Sequence, residues 1–132
     1  MVSRITRTKM TRLESLCDAI KVYEGWYIFS QSWRNNNPGN LIWSRFQSGH
    51  DGKFAKFNSF TAGWLGLWYD LFCKCLGKTR TRLGPESTLI DLFEVWAPRS
   101  DNNDPFAYAG WVSNRLQIPI NTKLKYFIED IT

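Results

Sequence analysis

Histidine occurs once, at His50, and cysteine only three times, at Cys17, Cys73 and Cys75. The odd count and the two-residue spacing of Cys73 and Cys75 fit neither a disulfide staple nor a zinc knuckle. Reduced structural thiols, synthesis in a cytosol, and no metal or other cofactor are therefore expected. No apolar stretch is long enough to span a bilayer, and Met1 to Arg7 carries charge with no apolar segment behind it. The expectation is no secretory signal and no membrane insertion. Internal repeats and low-complexity tracts are absent. What remains is a chain of 132 residues, 43% hydrophobic and 16% aromatic, a composition that excludes a disordered polymer. Its length suits one domain with a real core, spanning 11–132 behind a flexible basic arm at 1–10.

Acidic residues are the scarcer sign, 12 against 17 basic, for a net charge of +5. That balance suits anionic polymers, whether nucleic acid or the peptidoglycan and teichoic acids of a cell wall. Seven Trp and five Tyr exceed what so small a core can fully bury, so some should line a groove. Sugar rings and bases both stack on such faces. The basic clusters at Arg4–Arg12 and Lys74–Arg82 lie apart from most Trp, whereas nucleic-acid binding needs cations interleaved with exposed rings. No nucleic-acid partner is expected.

Local signals divide the chain into a mainly helical α+β domain. Thr11 with Glu14 three residues on reads as a capping box opening a helix to about Glu24. Asn35 to Asn40 reads as a loop, because Asn and Gly tolerate left-handed angles and Pro breaks regular structure. Leu41–Phe46 and Phe54–Phe57 are expected as short strands around a loop at 48–52. Ser59 caps a helix from Phe60 to Leu76 that stops at Gly77. Further helices are expected over Ser87–Trp96, from Asp104-Pro105 through Leu116, and over Thr122–Ile131.

At about 100° per residue, Leu13, Cys17, Ile20 and Glu24 fall in one stripe of the first helix. Glu24 therefore ends the apolar face, and Gly25 is placed to stop the helix behind it. A carboxyl there loses water around its charged form, so its pKa rises and it holds a proton near neutral pH. A general acid acting on a glycosidic bond has that requirement.

Arg34-Asn35-Asn36-Asn37-Pro38-Gly39-Asn40-Leu41 resembles a motif of phage and prophage cell-wall-degrading proteins with a lysozyme-like fold. Ala19-Ile20 leading to Glu24-Gly25, Phe54-Ala55-Lys56-Phe57, Gly63 to Leu67, and Trp96-Ala97-Pro98 before a helix carrying Tyr108 extend the resemblance over residues 13–120. It implies a lysozyme-like domain with a small hairpin after the first helix, cutting peptidoglycan between N-acetylmuramic acid and N-acetylglucosamine. By that resemblance Glu24 is the catalytic acid, the Asn-rich loop walls the groove, and Tyr108 stands near the acid. Arg34, Asn37, Asn40, Tyr108 and Trp43 are the expected substrate contacts, with Arg34 also a potential ion-pair partner of Glu24. Trp26 and Trp33 are further candidates for stacking on sugars. Glycan strands, and other proteins of a virion, are the partners implied. Action at the cell wall or periplasm would follow packaging in a particle or release through a membrane lesion.

Hydrolytic glycosidases use two carboxyl groups. Asp51 in the expected hairpin loop is the first candidate for the second one, although Asp-Gly is also ordinary turn chemistry. Asp101 is the next, and the resemblance does not carry it. A lytic transglycosylase needs only Glu24, because the sugar's own 6-hydroxyl attacks, and the missing second carboxylate favours this route. A virion structural or wall-binding module that has lost activity is the remaining alternative.

Overall fold

The computed structural model describes residues 9–132, and the expected basic arm at 1–10 lies almost wholly outside them. The chain runs α1 (Arg12–Tyr23), α2 (Gln31–Arg34), β1 (Gly49–Asp51), β2 (Phe54–Lys56), α3 (Phe60–Leu76), α4 (Leu89–Trp96) and α5 (Pro105–Leu116). Short 3-10 turns cover Arg99–Asp101 and Leu124–Phe127. Among the described residues the architecture is mainly helical with one two-stranded antiparallel sheet, as the α+β reading expects. No helix among the described residues is long and apolar enough to cross a membrane.

α1 lies at the centre, packed on α3, α5 and the C-terminal 3-10 turn. Its capping box forms as the sequence implies. Thr11 Oγ1 accepts from Glu14 N at 3.1 Å, and Glu14 Oε1 accepts from Thr11 N at 2.8 Å. Leu13, Leu16, Cys17, Ala19 and Ile20 are fully buried against Leu67, Leu71, Phe93 and Val112. Each Leu or Ile so buried contributes about 2 kcal/mol relative to exposure. Burial also pushes the Cys75 thiol up to about 12, and the Cys17 thiol higher still with Cys75 adding to it. These two cysteines are inert core groups.

α3 presents its smallest residues where the Asn-rich loop crosses it. A Cβ on Gly63 would overlap the Asn36 carbonyl oxygen, and one on Gly66 would lie 2.9 Å from Ser44 Oγ. The loop then runs beside β2, with Phe57 N donating to Asn35 O and Ala55 N to Leu41 O, both at 2.9 Å. Leu41, Ala55 and Phe57 form a small second core, with Trp96 packed against it.

Three expectations are corrected. Leu41–Phe46 is not a strand, because Ser44 and Gln47 close a local turn: Ser44 N donates to Gln47 Oε1 and Gln47 N to Ser44 O. The hairpin is instead Gly49–Asp51 on Phe54–Lys56, with Gly52 at φ 62 opening a two-residue connection. Thr122–Ile131 is not a full helix, because its start is spent on an extended clip across α4. Leu89 N donates to Thr122 O and Leu124 N to Ser87 O, leaving only a 3-10 turn beyond. The four-residue α2, capped by the Ser30 hydroxyl, is an addition that periodicity does not signal.

Candidate active site

Glu24 caps the C-terminus of α1. Its N–H donates to Ile20 O at 2.9 Å, and Gly25 at φ 85 turns the chain away immediately behind it. The side chain is half-buried. Tyr108, from the first turn of α5, donates its hydroxyl to Glu24 Oε2 at 2.7 Å. The Tyr108 ring is held between Tyr23 and Phe93, with centroid separations of 3.8 and 4.2 Å. That sandwich pre-orients the hydroxyl, so little order is lost when it serves the carboxylate.

Trp96, the last residue of α4, and Asn40 also turn their side-chain N–H groups to Glu24. Burial is the largest influence on this carboxyl and raises it above its ordinary value. The hydrogen bond from Tyr108 and the nearby N–H dipoles of Trp96 and Asn40 act the other way, because each favours the charged form. The Tyr108 phenol is raised by its own burial, then by the Glu24 charge and by the hydrogen bond it donates to that carboxylate. It remains a donor throughout. Asn40 sits at φ 52, and its Oδ1 is buried without a partner among the described residues. That cost accompanies the presentation of Nδ2 to Glu24.

These groups open on a cleft of about 460 Å3 whose walls include Glu24, Asn40, Trp43, Lys53, Trp96 and Asp101. Trp43 is 66% exposed there, a free ring face at the rim. Of the other two tryptophans named from sequence, Trp26 packs edge-on against Phe60 and Trp33 against Phe29. Neither lines the cleft. Among the described residues no group of three His, Cys, Asp or Glu side chains gathers as a metal site.

Three expected substrate contacts are displaced: Tyr108 is buried and holds Glu24 without lining the cleft, and Asn37 and Arg34 are engaged elsewhere. Asn37 is fully buried, and its side chain is consumed by the protein. Nδ2 donates to Leu41 O and Ala55 O, while Oδ1 accepts from Leu41 N, all at 2.9 Å. It is the pin that joins the loop to β2. Asn37→Ala takes their partner from Leu41 N and Ala55 O, while Leu41 O keeps its bond from Ala55 N, and it is expected to cost about 3 kcal/mol, read from urea unfolding midpoints. Arg34 is exposed, away from the cleft lining, and its Nη1 donates to Phe29 O at 3.1 Å. Phe29 stands at φ 72, so Arg34 steadies a left-handed turn instead of pairing with Glu24. Asn36 likewise serves the backbone, donating to Phe57 O at 3.0 Å, whereas Asn35 Nδ2 has no partner among the described residues.

The carboxylates are redistributed too. Asp51 lies in β1, not in a loop, and does not line the cleft. Asp101 does, from the 3-10 turn after α4. Asp70 also lines it, with Oδ2 held by Lys74 Nζ at 2.6 Å. Lys74 lies 5.6 Å from the Trp96 ring centroid, which ties this pair to the aromatic wall beside Glu24. Trp96 and Lys74 are the site residues that reading the sequence missed. The Asp70-to-Lys74 spacing of one helical turn is a signal for the ion pair. Nothing local marks the Trp96 contact, which needs the fold. In comparisons with protein-family models, curated protein sequences and solved structures, the chain matches none.

Proposed function

We propose that the chain is a lysozyme-like peptidoglycan glycosidase that cuts between N-acetylmuramic acid and N-acetylglucosamine, acting as a lytic transglycosylase with Glu24 as its acid and base. The observation that carries this reading is the half-dehydrated Glu24 carboxyl in the wall of an open cleft, held by Tyr108 at 2.7 Å. Protonated Glu24 gives its proton to the glycosidic oxygen as the bond to the anomeric carbon breaks. The resulting carboxylate then takes the proton of the sugar's 6-hydroxyl as that oxygen bonds to the same carbon, closing an anhydro ring. Positive charge developing on the sugar is stabilised by the newly formed carboxylate. Tyr108, Trp96 and Asn40 keep that carboxylate in place, while burial holds its pKa above the ordinary value.

The exposed ring of Trp43 supports stacking on a sugar, and the net charge of +5 suits an anionic wall polymer. Asp101 on the cleft wall is the observation that favours a second reading, a hydrolase in which this carboxylate activates water. Mass spectrometry of muropeptides released from purified cell walls separates the outcomes. Anhydro ends are expected, and they should persist in Asp101→Asn. Reducing ends that vanish in Asp101→Asn would move the assignment to hydrolysis. No released product at all would leave a binding module.

A further inference from the structure

A second pocket of about 310 Å3 opens beside the cleft, and the two share Trp43 and Asp70 in their walls. Trp43 thus forms a partition with one pocket on each side. The second pocket has a different chemistry from the first. Its charged groups are Arg45, Lys78 and Asp70, and the Asp70 charge is already taken by Lys74. Arg45 and Lys78 are in no ion pair among the described residues.

Arg45 is nonetheless held. Its Nη1 donates to Tyr69 Oη at 3.2 Å, and its guanidinium lies 5.4 Å from that ring centroid. Tyr69 is braced edge-on by Phe46. A fixed guanidinium with unused donors and an ammonium together form a receptor for carboxylates, beside a Thr79 hydroxyl already engaged by Thr81. The floor exists because Gly66 lets Ser44 and Phe57 approach α3 closely.

We infer that the pocket bounded by Trp43, Arg45, Tyr69 and Lys78 receives the carboxylate-bearing stem peptide of the glycan strand whose sugars lie in the Glu24 cleft. The inference rests on the peptidoglycan reading and adds what that reading lacks, a means of telling peptide-bearing glycan from glycan stripped of its peptides, whose one carboxylate stays on the sugar. A sugar chain in the first pocket carries its substituents past Trp43 into the second. Two cations near the surface then give selectivity more than raw affinity, with screened pairs contributing a factor of a few each.

The test is calorimetric titration of the full chain with a disaccharide carrying its stem peptide, and with the same disaccharide after the peptide is removed. The peptide-bearing form is expected to bind about fivefold tighter at low salt. In R45A/K78A that preference should vanish while the bare disaccharide keeps its affinity. Because Cys73 lines this pocket and Cys17 and Cys75 are buried, alkylation supplies a second readout in the unaltered protein. The peptide-bearing fragment should protect Cys73 from maleimide and the bare one should not. Equal affinity for the two forms, a preference that survives in R45A/K78A, or unprotected Cys73 overturns the inference. Wall clearance by the same preparation reports on the glycosidase reading separately, so the two failures are distinguishable.

Discussion

Glu24→Gln is expected to reduce clearance of purified cell walls by about 10^3-fold, the range that removal of a general acid commands. The amide keeps the shape of the side chain and loses the transferable proton. Stability should respond differently, and the sign follows from the raised carboxyl. Between the ordinary glutamate value and the raised folded one, the folded chain holds a proton that the unfolded chain has released. Stability therefore falls as pH rises through that window, and the charged form of Glu24 is a load on the fold above it. Gln removes the load but turns an amide N–H2 towards the donors of Tyr108, Trp96 and Asn40, and these effects oppose each other. The melting temperature should stay within about 4 °C of the wild-type value. Clearance at wild-type rate by a folded Glu24→Gln protein would remove Glu24 from the chemistry.

The second large effect is on folding. Gly63→Ala places a methyl group on the Asn36 carbonyl oxygen, which belongs to backbone and has no flexible end to yield. Either α3 or the 35–41 loop must move, and the loop carries both Asn37, which pins β2, and Asn40, which meets Glu24. A loss of about 3 kcal/mol is expected, lowering the melting temperature by about 10 °C. Wall clearance measured well below the transition should fall further than the unfolded fraction explains. Gly49→Ala serves as the control, since nothing lies within 4 Å of its added Cβ and its effect should stay within about 0.5 kcal/mol. A Gly63→Ala protein as stable as that control would contradict the packing described.

Much of the helical frame was legible because it is written locally. Thr11, Ser59 and Asp104 are N-caps as their side chains imply, and Gly25 and Gly77 end their helices at φ 85 and φ 79. The stripe that carries Glu24 to the edge of the α1 core is likewise periodic information. The β region was less legible. Leu41–Phe46 has strand composition, yet the hydrogen bonds of Ser44 and Gln47 outcompete a ladder there. Within the Asn-rich loop, composition could not rank four asparagines. Burial decides that Asn37 is a structural pin and Asn40 a site residue, and burial is a property of the assembled fold. Asp51 was misplaced for a related reason, because the first strand forms at Gly49–Asp51 and not at Leu41–Phe46, which moves Asp51 from loop to strand.

The central claim is that Glu24 retains its proton above the range of an ordinary carboxyl, and a 13C-NMR titration of labelled glutamate side chains tests it most directly. The Glu24 signal is identified by its loss in Glu24→Gln. Its midpoint is expected above the ordinary glutamate value, and higher still in Tyr108→Phe, where the hydrogen bond that favours the charged form is gone. A wild-type midpoint at or below the ordinary value would contradict the account.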